Sequence, residues 1–350
     1  MNNQDIIFEE KSGIGFITLN RPDVLNALSM TMCSLLNEQL VTWEASNDVH
    51  AVVIKGAGDK AFCAGGDARS IVEQGFENNL AAKEFFSAEY KMNACIFHFS
   101  KPYISLLNGI TMGGGVGVSV HGSHRIITEK TLFAMPEASI GLIPDVGSSY
   151  FLPRMPGALG RHLGLTGARL RGADILYAGI GTAYMGSHML DQFVQALCDE
   201  DINSAEDVDN IIARFAEDPG EAAIDEFRDL IDAAFSENTI EDIIDHLNDI
   251  DHDWAKQTNA VLKKLSPISL KVIVEQLSRG KNLDFDQCII MEFRIVSAIS
   301  SYASDFYEGV RAVLIEKDHN PKWLPENFAG VSNEMVMVHF DAPAYGDLTL

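Results

Sequence analysis

Apolar positions recur with two different periods along the first half of the chain. The short run Phe8-Glu9-Glu10 and the apolar-rich run at 14–19 flank Lys11-Ser12-Gly13, a turn signal, so they predict a hairpin of two strands. Met32, Leu35, Leu36, Leu40 and Trp43 then recur at helical spacing behind Ser29, a residue suited to cap a helix N-terminus. Residues 51–54 form a compact apolar run of the kind a buried strand shows, ending at Lys55-Gly56. The alternation repeats with a helical stretch at 81–99, a strand at 103–107, a glycine-rich turn and a strand at 125–128. Strands alternating with helices over residues 1–190 predict α/β layering, with the loops after the strands open for a site.

The pattern changes near residue 199. From there to 253 acidic residues abound and Arg214 and Arg228 are the only Lys or Arg. Ile224, Phe227, Leu230, Ile231 and Phe235 nevertheless keep a helical stripe, which predicts a folded acidic helical insert rather than disorder. Residues 268–314 give further amphipathic helices. The expected organisation is a core over 1–198 and a helical extension over 199–350, with the acidic insert at 199–253.

Charge and composition narrow the function. The 26 basic and 50 acidic residues give a formal charge of −24, which repels nucleic-acid phosphates and anionic lipid, so neither nucleic acid nor a membrane is expected as a partner. Cys33, Cys63, Cys95, Cys198 and Cys288 are odd in number and widely spaced, with no pairing frame or zinc spacing; reduced thiols and no metal are expected. Residues 1–7 are polar without an apolar leader, and no run reaches the roughly 20 apolar residues of a membrane span. A soluble protein is expected, cytoplasmic in a bacterium.

Two glycine-rich turns could carry chemistry, Ala61-Phe62-Cys63-Ala64-Gly65-Gly66-Asp67 and Asn108-Gly109-Ile110-Thr111-Met112-Gly113-Gly114-Gly115-Val116-Gly117. Each follows an apolar run and precedes a helical one. Glycine there lets backbone N–H groups approach a ligand closely, and two such groups converging on one oxygen would form an oxyanion hole. A tight bend or a phosphate cradle would use the same residues, although neither turn ends in the Gly-Lys-Ser/Thr of a P-loop. Further on, Glu137 and Asp145 stand eight positions apart (145 − 137) in an apolar segment punctuated by Pro136, Gly141, Pro144 and Gly147. Partly desolvated carboxylates can divide acid, base and nucleophile roles. The alternative is that Asp145 caps a helix starting near Val146 and Glu137 is a solvated turn residue.

Taken together, Ile14-Gly15-Phe16-Ile17-Thr18-Leu19-Asn20-Arg21-Pro22, the two turns and residues 135–147 resemble the crotonase superfamily, the enoyl-CoA hydratase/isomerase family, in order and spacing. Within it the chain resembles the 3-hydroxyisobutyryl-CoA hydrolase branch through Gly172-Ala173-Asp174, residues 306–312 and Asp318-His319-Asn320-Pro321-Lys322-Trp323. The resemblance implies a crotonase-like spiral of ββα units with a C-terminal helical region. It implies thioester hydrolysis of 3-hydroxyisobutyryl-CoA in valine catabolism, with Gly66 and Gly114 as oxyanion donors. Glu137 and Asp145 match its catalytic carboxylates, and Glu89 matches a residue lining the acyl pocket, although a lone helical glutamate also reads as a solvated face. No cofactor is implied beyond the CoA of the substrate. The wider family forms trimers and pairs of trimers; the altered C-terminal half leaves the homo-oligomeric state of this chain open.

Hydratases of this fold use two glutamates, and the first falls here on Gly117, which has no carboxylate. Asp145 stands where they typically have glycine. Two alternatives remain: an enoyl-CoA isomerase or hydratase, with Glu137 shuttling a proton and Asp145 merely capping, and a non-catalytic acyl-CoA-binding protein. CoA is an anion, so a basic cluster is expected from Arg21, Lys55, Lys60 and Arg69 with Lys317 and Lys322.

Overall fold

The computed structural model describes residues 5–75, 80–301 and 304–350, so the first four residues of the polar N-terminal stretch lie outside it. The strands are β1 (Ile6–Lys11), β2 (Ile14–Leu19), β3 (Ala51–Gly56), β4 (Ala61–Cys63), β5 (Tyr103–Leu107), β6 (Ile110–Met112), β7 (His124–Ile127), β8 (Leu132–Ala134) and β9 (Ala183–Tyr184). They form a six-stranded sheet ordered β1-β2-β3-β5-β7-β9 and a three-stranded sheet ordered β4-β6-β8. The predicted hairpin is present: β1 and β2 pair antiparallel, with Lys11 opposite Ile14 and left-handed φ angles at Ser12 and Gly13. The pairs β2/β3, β3/β5, β5/β7 and β7/β9 are parallel, so the large sheet is fed by crossovers. Two strands followed by a helix, repeated, is the α/β arrangement expected.

The chain divides into two compact units interleaved in sequence. The first comprises Met1–Gly66, Lys91–Phe133 and Leu170–Ala223. Alternate residues of its large sheet, Ile14, Ala51, Val53, Ile104, Leu106 and Ile126, share a core with Phe193 and Leu197 of the helix Leu190–Asp199. Val208, Ile211 and Ile212 of the helix Ala205–Ile212 join the same core, so the boundary expected at 198/199 falls inside this unit. The helix Met30–Ala45 is capped as its sequence predicts, the Ser29 hydroxyl accepting the Met32 N–H at 3.3 Å.

The second unit comprises Asp67–Tyr90, Ala134–Arg169 and Ile224–Leu350, and is helical. The expected stripe of the acidic insert is realised in the helix Arg228–Phe235, which buries Ile231, Ala234 and Phe235. Some of its acids lie at helix starts, as where Thr239 caps Ile240–Asp249, whose first turn carries Glu241 and Asp242, while Asp232 pairs with Arg228 at 2.9 Å and accepts the Ala158 N–H at 2.7 Å. His162 of the helix Leu159–Thr166 packs edge-on against Phe235, centroids 4.9 Å apart, and burial lowers its pKa to about 4. The helices Pro267–Gly280 and Phe285–Ile299 complete the interior of this unit. Among the described residues no helix is long and apolar enough to cross a membrane.

Candidate active site

The two glycine turns lie side by side in the first unit because β4 and β6 pair in parallel and each strand runs into its turn. Gly65 has φ +120°, a conformation open to glycine, and a Cβ there would stand 3.4 Å from the Met112 carbonyl oxygen and 3.7 Å from the Gly114 nitrogen. A Cβ on Gly115 would overlap the Cys63 carbonyl oxygen and lie 2.8 Å from its carbon. Side chains are excluded so that the two backbones can touch. The Leu28 N–H donates to the Gly65 carbonyl at 2.9 Å and fixes the first turn, and Gly114 opens the short helix Gly114–Gly117. Among the described residues neither the Gly66 nor the Gly114 N–H donates to a protein acceptor, so both remain available to a ligand oxygen.

The carboxylates gather in the second unit. Glu89, on the helix Ala81–His98, is 2% exposed, Glu137 6% and Asp145 4%, so neither the solvated-face nor the solvated-turn reading describes them. Glu137 opens a 3-10 turn, Glu137–Ile140, which ends at Gly141 with φ +68°. A side chain on Gly141 would overlap the Asp305 carbonyl, so glycine is required for the turn to pack. Asp145 does not cap a helix: the helix Ser148–Phe151 has Gly147 at its N-cap and no side-chain cap. Its carboxylate instead accepts the Tyr90 hydroxyl at 2.7 Å.

Burial raises every carboxyl pKa in this group. Glu89 is pushed well above the usual range by desolvation, then by the charges of Asp145 and Glu137; Glu137 is pushed up by desolvation and by Asp145. Asp145 is raised to about 7 by desolvation, against the lowering effect of the Tyr90 hydroxyl. A carboxyl titrating near neutrality, as Asp145 does, suits proton transfer, and the titrations belong to the group rather than to one residue. Glu89 Oε1 and Glu137 Oε2 have no hydrogen-bond partner among the described residues, unusual for buried oxygens and expected where a substrate or water is to be bound.

The enoyl-CoA hydratase/isomerase family model matches residues 14–340. The chain belongs to that family. A relative named 3-hydroxyisobutyryl-CoA hydrolase, mitochondrial, from Danio rerio is 44% identical, the match covering 99% of this chain and 92% of the relative. The Homo sapiens protein of that name is 42% identical over 99% of this chain and 90% of its own length. Among solved structures, a carnitinyl-CoA dehydratase from Mycobacterium thermoresistibile superposes with a TM-score of 0.92 at 38% identity, covering 99% of both chains. An enoyl-CoA hydratase from Rhodobacter sphaeroides 2.4.1 gives 0.91 at 33% identity, over 99% of this chain and all of its own. The crotonase fold expected from the sequence is therefore present over essentially the whole chain.

Within this family fold the basic residues differ in availability. Lys55 and Lys60 of the first unit are exposed and make no ion pair among the described residues. Arg69 is taken by Glu73 at 2.8 Å, and Lys322 Nζ donates to Asn320 Oδ1 at 3.1 Å. Sequence reasoning missed Tyr90, Gln276 and Glu292, which bear on Asp145 directly or through its backbone. The legible signal was Glu292, a single acid in the otherwise apolar stretch Cys288-Ile289-Ile290-Met291-Glu292-Phe293.

Proposed function

We propose that the chain hydrolyses short 3-hydroxyacyl-CoA thioesters, 3-hydroxyisobutyryl-CoA first among them, to the free hydroxyacid and CoA. The observation that carries the reading is the buried pair Glu137 and Asp145, the first with an unpartnered oxygen and the second with a pKa near 7. Full-length relatives with the hydrolase name support it.

In this reading the thioester carbonyl oxygen accepts the Gly66 and Gly114 N–H groups, which stabilise the negative charge that grows on it. Glu137 removes a proton from water attacking the carbonyl carbon, or attacks it to give an anhydride that water then opens. The C–S bond breaks, and the departing thiolate receives a proton from Asp145, which also orients the water. Glu89 lines the acyl pocket. Gly117 is buried and has no carboxylate, so the second acid of a hydration is absent at that position. The isomerase alternative leaves Asp145 the role of a helix cap, and the N-cap position of that helix is held by Gly147. The family resemblance supports a step of valine degradation for this reaction, with the cytoplasm as its location in a bacterium.

The test is release of free thiol from (S)-3-hydroxyisobutyryl-CoA beside crotonyl-CoA. The wild type should release thiol from the first and leave the second unhydrated. Glu137→Gln and Asp145→Asn should each lower kcat by roughly 10²-fold or more with KM little changed. Near-normal turnover in either variant would remove that residue from the mechanism; hydration of crotonyl-CoA without thiol release would overturn the hydrolase reading.

A further inference from the structure

The backbone that carries Asp145 is strained and is held by buried polar side chains. Val146 is β-branched yet has φ +51°, and Gly147 follows at φ +87°. A β-branched residue adopts that region only where its surroundings over-determine it. Glu292, in the middle of the helix Phe285–Ile299, accepts the Gly147 N–H on Oε2 and the Ser149 N–H on Oε1, both at 2.7 Å. Gln276, on the helix Pro267–Gly280, donates through Nε2 to the Pro144 carbonyl at 2.7 Å and to Ser149 Oγ at 2.8 Å. Both side chains are fully buried, so water cannot replace either set of bonds. A carboxyl group in an apolar helix interior stabilises a fold no better than a well-packed apolar side chain would. Its effect here is local: the two side chains grip the turn on both sides of Asp145.

We propose that Glu292 and Gln276 are positioning residues, which fix the Asp145 carboxyl through the backbone of residues 144–149. The effect on turnover rests on the hydrolase reading; the effect on the turn does not. Amide exchange and turnover are therefore measured on the same full-length protein, wild type and Glu292→Gln. The Gln side chain keeps one acceptor and turns an N–H₂ toward the other amide. The Gly147 and Ser149 amides should exchange about tenfold faster or more. At a temperature well below unfolding, kcat should fall by roughly 10²-fold with KM within about twofold. A residue that only added stability would lower the unfolding temperature and leave kcat intact. Wild-type exchange at both amides, or kcat within about twofold of wild type in folded Glu292→Gln, overturns the proposal. If the wild type releases no thiol, the hydrolase reading falls and the exchange result alone decides whether the clamp exists. Should Glu292→Gln fail to fold, Gln276→Met, which removes the donors to Pro144 and Ser149, is judged by the same two criteria.

Discussion

The Tyr90 hydroxyl is the one side-chain donor seen on Asp145 among the described residues, and its removal has a predictable sign. A donor favours the charged form of a carboxyl group, so it works against the burial that lifts Asp145 to about 7. Tyr90→Phe removes the bond and leaves the burial, and the limb of the pH–rate profile governed by Asp145 should move upward by roughly one unit. The direction is the same whether Asp145 is needed ionised or protonated. Glu89, Glu137 and Glu292 lie in the same field, so the limb reports the group. A profile of kcat/KM against pH that superposes on the wild type would show that Tyr90 does not bear on the titration. Glu137 and Asp145 stood out in the sequence as two acids in a Pro- and Gly-punctuated apolar stretch, but spacing alone left a solvated turn and a helix cap open, and the family resemblance singled them out. Tyr90 was not legible there, since it lies 55 residues from Asp145 on a helix where its spacing reads as core. Glu292, 147 positions away (292 − 145), is joined to that turn only by folding.

At the scale of elements, the glycine turns could be read from sequence but the strands that align them could not. β4 and β6 have three residues each, too few for a period-two pattern to register. Their pairing nevertheless decides that the two turns touch, through Gly65 and Gly115. Gly115→Ala should therefore drive the turns apart, because the new methyl group meets the backbone carbonyl of Cys63, which has no flexible end to yield. The expected cost is about 1–3 kcal/mol, read as a lower urea midpoint, together with a loss of turnover as the Gly114 amide shifts. An unchanged midpoint would mean that the turn adjusts freely. The acidic insert shows the opposite balance of legibility. Its composition suggested a solvated segment, but the apolar stripe decided correctly, since Ile231 and Phe235 are wholly buried. Its acids complete helix starts, as in the capping box of Ser204 and Asp207.

For the whole molecule, the carboxyls that suit the chemistry also set how stability depends on pH. Glu89, Glu137, Asp145 and Glu292 all have raised pKa values, the last to about 8 through burial. The unfolded chain releases these protons near pH ~4, earlier than the folded one, so stability is whole below that value and falls as pH climbs through the folded pKa values. Buried His162 acts oppositely: its pKa is lowered from 6.5 to about 4, so its share is lost as pH falls through that interval. Above pH 6.5 the histidine share is complete and constant, so the further change with pH comes from the carboxyls. The urea midpoint should therefore decline between about pH 6.5 and about 8, within the range where many proteins are most stable. Mutual repulsion under a net charge of −24 also opposes the compact state. Salt separates the two effects, because about 1 M salt shortens the screening length to roughly 3 Å and quiets surface charges while hardly reaching buried ones. A decline that persists in high salt and flattens in Asp145→Asn belongs to the buried group. One that vanishes in salt and is unaltered in that variant belongs to the surface, and the carboxyls of the site would then carry no large excess of protons into the folded state.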